Sequence, residues 1–203
     1  MKSRKVHEEI IINGKSLRDI LEAHKFYVMS GKTAGICANL ADADLSWVDL
    51  TYANLSGADL SRANLVRAKL QDALLMGAIL TGAKLMNAQM ENVDLSNSVL
   101  DNAYLTHANL SGANLENANL SHSNLGNAIL TGANLKNANL SHAWLSDADL
   151  SNSNLSGAIL TDAWINGANF ENANLSNAII TNNQLTKPDN LKGATVLKGT
   201  KNF

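Results

Sequence analysis

Every fifth residue from Leu40 to Leu185 is apolar, and the register never slips. Leu holds 26 of these 30 centres, and Met90, Ile165, Phe170 and Ile180 hold the rest. Two residues before each centre stands a small residue, Ala at 24 of 30 positions, with Val48, Val93, Ser98, Ser123, Ser153 and Asn183 as the departures. An α-helix repeats about every 3.6 residues and a strand about every 2, so a five-residue period predicts neither. It predicts a solenoid in which each step is one side of a coil. The centre and the small residue point inward, the other three point to solvent, and stacked coils bury a Leu column and an Ala column.

The second residue after each centre sets the corners. Gly or Asn holds 17 of the 28 such positions from 42 to 177. Both accept the positive φ that a type II turn needs at its third position. Trp47, Tyr52, Arg62 and Arg67 hold it in the early coils, where their bulk predicts other turn types. Phe170 is larger than the other centres and predicts a local widening, with Ile165 as part of the adjustment.

The ends depart from the comb. Residues 16–30 read as a helix: Ser16 is the N-cap with Asp19 three residues on, Leu17, Ile20, Leu21, His24 and Val28 share one face, and Gly31 stops it. Val6 to Ile12 is β-prone and runs into Asn13-Gly14, which predicts a short strand before a turn. Lys187-Pro188 ends the repeat, because proline removes a donor and fixes φ. Residues 191–196 resume a five-residue step shifted by one, as a partial coil or lid. The expected division is therefore a cap over 1–35, the repeat over 36–186 and the partial coil or lid over 187–203.

Runs such as Ala53-Asn54-Leu55-Ser56-Gly57, Ala113-Asn114-Leu115-Glu116-Asn117 and Ala148-Asp149-Leu150-Ser151-Asn152 resemble the A(D/N)LXX unit of the pentapeptide-repeat proteins. The segment from Leu21 to Leu40 resembles the passage from helix to first coil in many members. The resemblance implies an all-β solenoid: a right-handed, quadrilateral β-helix of about 7 coils, four units per coil, behind an N-terminal α-helical cap. Trp144 and Trp164, and Ile159 and Ile179, recur at a spacing of 20, in keeping with four units. At roughly 4.8 Å between stacked strands the body is about 36 Å long.

Composition and charge narrow the function. No apolar run is long enough for a membrane span or a secretory signal, so the cytoplasm is the expected address. The single Cys37 has no disulfide or metal partner in the sequence. The net charge of −2 hides a division, with +3 over residues 1–35, −8 over 36–185 and +3 over 186–203. No catalytic motif, phosphate loop or metal-spaced cluster is present, and Asp42, Asp59, Asp147 and Asp162 fall on a regular solvated surface. No catalytic residue, cofactor or metal is expected. In a four-sided coil His122 and His142 stack one coil apart, which raises a shared metal or, more simply, two corner residues that tolerate the left-handed region.

The residue just before each centre is mostly Asn or Asp. On the face of centres 40, 60, 80 and so on these positions include Ile79, Val99, Ile159 and Ile179, and on the next face Tyr104, Trp144 and Trp164. These seven are the candidate partner-binding surface, unless they merely cover their stacked neighbours. The expected function is a non-enzymatic structural or protein-interaction module that docks an unidentified protein, with no membrane or direct nucleic-acid contact, as a monomer. Some pentapeptide-repeat proteins imitate duplex DNA and protect DNA gyrase, which is the alternative. A duplex of about 36 Å presents roughly 20 charges, well above the −8 here, and no C-terminal dimerisation helix is evident. An enzyme is the least supported reading.

Overall fold

The structure, a computed structural model, describes residues 9–180. The strand expected over 6–12 is therefore visible only from residue 9, and the expected lid over 187–203, with its Lys187-Pro188 stop, lies outside the described residues.

Each unit's backbone donors explain the coil. The N–H of a centre reaches the carbonyl before the next coil's centre, as from Leu40 to Asp59 at 2.7 Å. The N–H two residues after the centre also reaches forward, as from Asp42 to Ser61 at 2.9 Å. The N–H just before the centre reaches back, as from Asp59 to Ala38 at 3.0 Å. Every parallel bridge joins residues 20 apart, from Asn39 with Asp59 to Asn154 with Asn174, so four units close one coil. The result is a right-handed quadrilateral β-helix. Two ladder segments are long enough to be strands, β3 (Ile159–Leu160) and β4 (Ile179–Ile180), paired in parallel.

Inside, the Leu and Ala columns form one continuous core. Each buried Leu contributes roughly 1.5–3 kcal/mol, which offsets the ordering of its unit. Ser98, Ser123 and Ser153 enter the Ala column because each hydroxyl donates to the carbonyl of the preceding centre, Leu95, Leu120 or Leu150. Phe170 is buried, and the spacing between coils is kept there, with the ladder bond from Leu150 to Asn169 beneath it at 2.8 Å. Its neighbour Ile165 is only partly buried against the core.

All 28 corner positions from 42 to 177 have positive φ, including Trp47 at 64°, Tyr52 at 60°, Arg62 at 56° and Arg67 at 58°. The N–H of the fourth turn residue bonds the carbonyl of the first, as from Ala43 to Leu40 at 3.2 Å, the type II pattern. The expectation of other turns in the early coils was wrong. A bulky residue at positive φ costs roughly 1–2 kcal/mol, yet the ladder bonds on either side of it are made only in this conformation. Side chains offset part of the cost: Arg67 lies 4.7 Å over the Trp47 ring, and Arg62 grips Asp42 through two nitrogens at 2.6 and 2.7 Å.

The N-terminal end closes the stack. β1 (Ile11–Ile12) and β2 (Lys15–Ser16) form an antiparallel hairpin whose Asn13 and Gly14 both have positive φ, as a two-residue type I′ turn requires. The helix α1 (Leu17–Met29) follows, capped by the Ser16 hydroxyl accepting from the Asp19 N–H at 3.1 Å. It ends in a Schellman motif: Gly31 N–H bonds the Val28 carbonyl and Lys32 N–H the Tyr27 carbonyl. Gly35 lets the following loop lie on the helix, since a Cβ there would sit 2.6 Å from the Tyr27 nitrogen.

His24 joins the cap to the first coil. Ala38 has no preceding centre to take its N–H, so this donor would be orphaned at the open end. The buried His24 ring accepts it at Nδ1, 3.1 Å away. That bond needs a neutral imidazole, and burial lowers the His24 pKa from its ordinary 6.5. The unfolded chain then binds a proton that the folded one refuses, so this contribution is full above about pH 6.5 and is lost as pH falls through the folded value.

Two outcomes are expected. Leu120→Ala costs about 2–5 kcal/mol in denaturant unfolding. Protection of the Ala38 amide against hydrogen exchange falls between pH 7 and pH 5, and His24→Asn, which keeps an acceptor but cannot protonate, removes that dependence.

Candidate partner-docking surface

The residue before each centre has a definite backbone task. All seventeen Asn or Asp side chains at this position among residues 39–174 accept a hydrogen bond from the N–H two residues on, at 2.9–3.3 Å. Several also donate to the equivalent side chain one coil away, as along Asn174, Asn154, Asn134 and Asn114. Repeat architecture alone therefore favours Asn or Asp here. An apolar side chain forgoes that acceptor, worth about 0.5–1.5 kcal/mol net.

Nine positions make that exchange for a large apolar or aromatic residue: Leu74, Ile79, Val99, Tyr104, Ile129, Trp144, Ile159, Trp164 and Ile179. Seven are the expected surface residues. Leu74 and Ile129, about two-fifths exposed, lie on the other two faces, and the same sorting applied to every face finds them.

The structure places the seven in two columns. Ile79 bridges Val99 on one face, then Asn119 and Asn139 intervene before Ile159 and Ile179. On the next face Tyr104 bridges Asn124, which bridges Trp144, which bridges Trp164. Corner residues such as Asp101, His142 and Asp162 run between the columns. Tyr104, Trp144 and Trp164 are 50%, 54% and 58% exposed, whereas Val99, Ile159 and Ile179 are half-buried. The two indoles stack with centroids 5.7 Å apart and planes 25° apart.

His122 and His142 stack at 4.8 Å with planes 8° apart, both at positive φ. Nitrogen lone pairs lie in the ring planes, so two nearly parallel rings one coil apart cannot aim at one ion; the pair is a ladder contact. Among the described residues no group of three or more His, Cys, Asp or Glu is placed to hold a metal. No described helix is long and apolar enough to cross a membrane.

A cleft of about 390 Å³ opens between the hairpin, α1 and the first coil, lined by Ile12, Asp19, Ile20, Ala23, Ile36 and Cys37 among others. The Cys37 thiol donates to the Gly57 carbonyl at 3.3 Å, and burial pushes its pKa up, which disfavours the thiolate.

A family model described as "Pentapeptide repeats (8 copies)" matches overlapping stretches that run from residue 38 to residue 187. No curated protein matches the chain. Among solved structures, the chain is similar to HetL, a pentapeptide repeat protein involved in heterocyst differentiation regulation from the cyanobacterium Nostoc. The identity is 30%, over 87% of this chain and 92% of HetL, with a TM-score of 0.51. A trypsin-treated form of QnrB1, a plasmid-mediated fluoroquinolone resistance protein, is 24% identical over 74% of this chain and 78% of its own, with a TM-score of 0.61. The second likeness is one of fold.

Proposed function

The chain belongs to the pentapeptide-repeat family, and from that premise we propose that it is a non-enzymatic rod that docks a protein partner on its outer walls, as a monomer in the cytoplasm. The observation that carries this reading is the exchange of a backbone-supporting Asn or Asp for exposed Trp at positions 144 and 164. The fold gains a hydrogen bond from Asn there and gives it up for an indole half in water. Exposed aromatic groups of this kind are the anchors of protein interfaces.

The rod supplies rigidity as well as anchors. Side chains held on a hydrogen-bonded wall lose little further freedom on binding, which favours a docking role. HetL, described as involved in regulation, is compatible with a family member that acts by contact. The candidate surface remains Ile79, Val99, Tyr104, Trp144, Ile159, Trp164 and Ile179, with the Trp pair at its centre. A DNA-like exterior is less well supported, because −8 over residues 36–185 is sparse beside the roughly one charge per 1.7 Å of a duplex.

Affinity capture from the native host, comparing the wild-type chain with the Trp144→Ala, Trp164→Ala double variant, tests the reading. Proteins enriched on the wild type are expected to be lost on the variant, while its thermal midpoint moves little because both indoles are exposed. Retention of every captured protein would make the patch structural.

A further inference from the structure

We infer that the partner presents a basic segment, and that an arginine side chain of that segment lies against the exposed aromatic column formed by Tyr104, Trp144 and Trp164. This rests on the docking reading above and adds the chemistry of the partner.

Charge complementarity selects the occupant. Residues 36–136 carry nine Asp or Glu and five Lys or Arg, whereas residues 137–180 carry Asp147, Asp149, Asp162 and Glu171 and no Lys or Arg at all. The indole pair stands in that second stretch. Asp162 is exposed at the corner on one side of its face, and Asp147 is exposed at the corner on the other. The indoles thus run between two walls that carry carboxylates. A cation over an indole is attracted by the ring's negative face, and flanking carboxylates add to that attraction at short range.

The molecule already uses this pairing elsewhere. Trp47 sits at the corner that follows the same face, and Arg67, one coil on, covers its ring at 4.7 Å. Residues 137–180, which hold both indoles, contain no Lys or Arg, and Lys136 of the preceding coil pairs with Glu116 at 3.2 Å, so a cation that covers the indoles comes from outside the described stack.

The column also has a place for it. Asn124 separates Tyr104 from Trp144, so the two aromatic rungs are two coils, or roughly 9.6 Å, apart. Asn124 is short, and its Oδ1 is turned onto the backbone N–H of Gly126 at 3.0 Å. Gly126 beside it is buried and carries no side chain that would crowd the gap. A planar guanidinium laid over Asn124 is then about 4.8 Å from each aromatic rung, within the roughly 6 Å reach of a cation–π contact. Its flat shape suits the gap better than a lysine ammonium, which is compact and more strongly hydrated.

The test uses the full-length protein and a fluorescent peptide of alternating Arg and Gly, with a Lys and Gly twin, read by anisotropy at two salt concentrations. The arginine peptide is expected to bind about tenfold tighter than its twin. Trp144→Ala with Trp164→Ala, and separately Tyr104→Ala, should remove that preference, and Asn124→Arg, which supplies a guanidinium in place, should block the peptide. Asp147→Asn with Asp162→Asn should weaken both peptides and flatten their salt dependence. Equal binding of the twins, or unchanged binding by the aromatic variants, would overturn the inference. Lys187, Lys192, Lys198 and Lys201 changed together to Gln should leave the affinity unchanged. A tenfold gain there would show that the chain's own 186–203 segment competes for the indoles, and would also overturn it. If captured proteins depend on Trp144 and Trp164 but the arginine peptide does not compete with them, docking stands and the arginine chemistry falls.

Discussion

A coil that closes in twenty residues turns its backbone donors along the stack axis, and hydrogen bonds between coils are what the rest of this structure depends on. In each five-residue unit, three N–H groups bond a neighbouring coil and one closes the corner turn. Little is left for local preference to decide. The backbone at Trp47 or Arg67 therefore takes the same left-handed corner as an Asn or Gly, and a roughly 1–2 kcal/mol local cost is borne because the ladder on both sides requires it. Burial of Leu and Ala supplies the driving force, and the ladder sets the geometry in which they are buried.

The same constraint explains which features could be read from the chain. The unbroken comb of Leu at every fifth position, with Ala two before, excludes helix and strand periods and leaves a solenoid. The number of sides does not follow from the period. It came from the resemblance and from the spacing of Trp144 to Trp164, and the ladder at 20-residue offsets agrees with it. The helix was legible because Ser16, Asp19 and Gly31 are local signals with local causes. The corners at Trp47, Tyr52, Arg62 and Arg67 were misread because a steric rule for single residues was applied where neighbouring coils decide.

At the surface, sorting residues by face found the Trp column, but not why it is unusual. Its meaning emerges from the hydrogen bond that Asn and Asp make at the same position in seventeen other units. Leu74 and Ile129 stand singly on their faces and form no column. The role of His24 lay deeper: as one polar residue on an apolar helix face it reads as ordinary core. Only the Ala38 N–H, which no preceding centre takes, identifies it as the residue that joins cap and stack. A closed end and an apolar column on an otherwise polar wall are the features on which the proposed docking role rests.

Residue-by-residue amide hydrogen exchange tests the central claim most directly. The account predicts a five-residue rhythm from 59 to 160. The centre, the residue before it, the second residue after it and the small residue should be protected, and the amide directly after each centre should exchange fastest. That fast amide should be quickest wherever the residue before the centre is neither Asn nor Asp, as at Ser146 and Asn166, which follow Trp144 and Trp164. Uniform protection across each unit, or a rhythm near 3.6 residues, would contradict it.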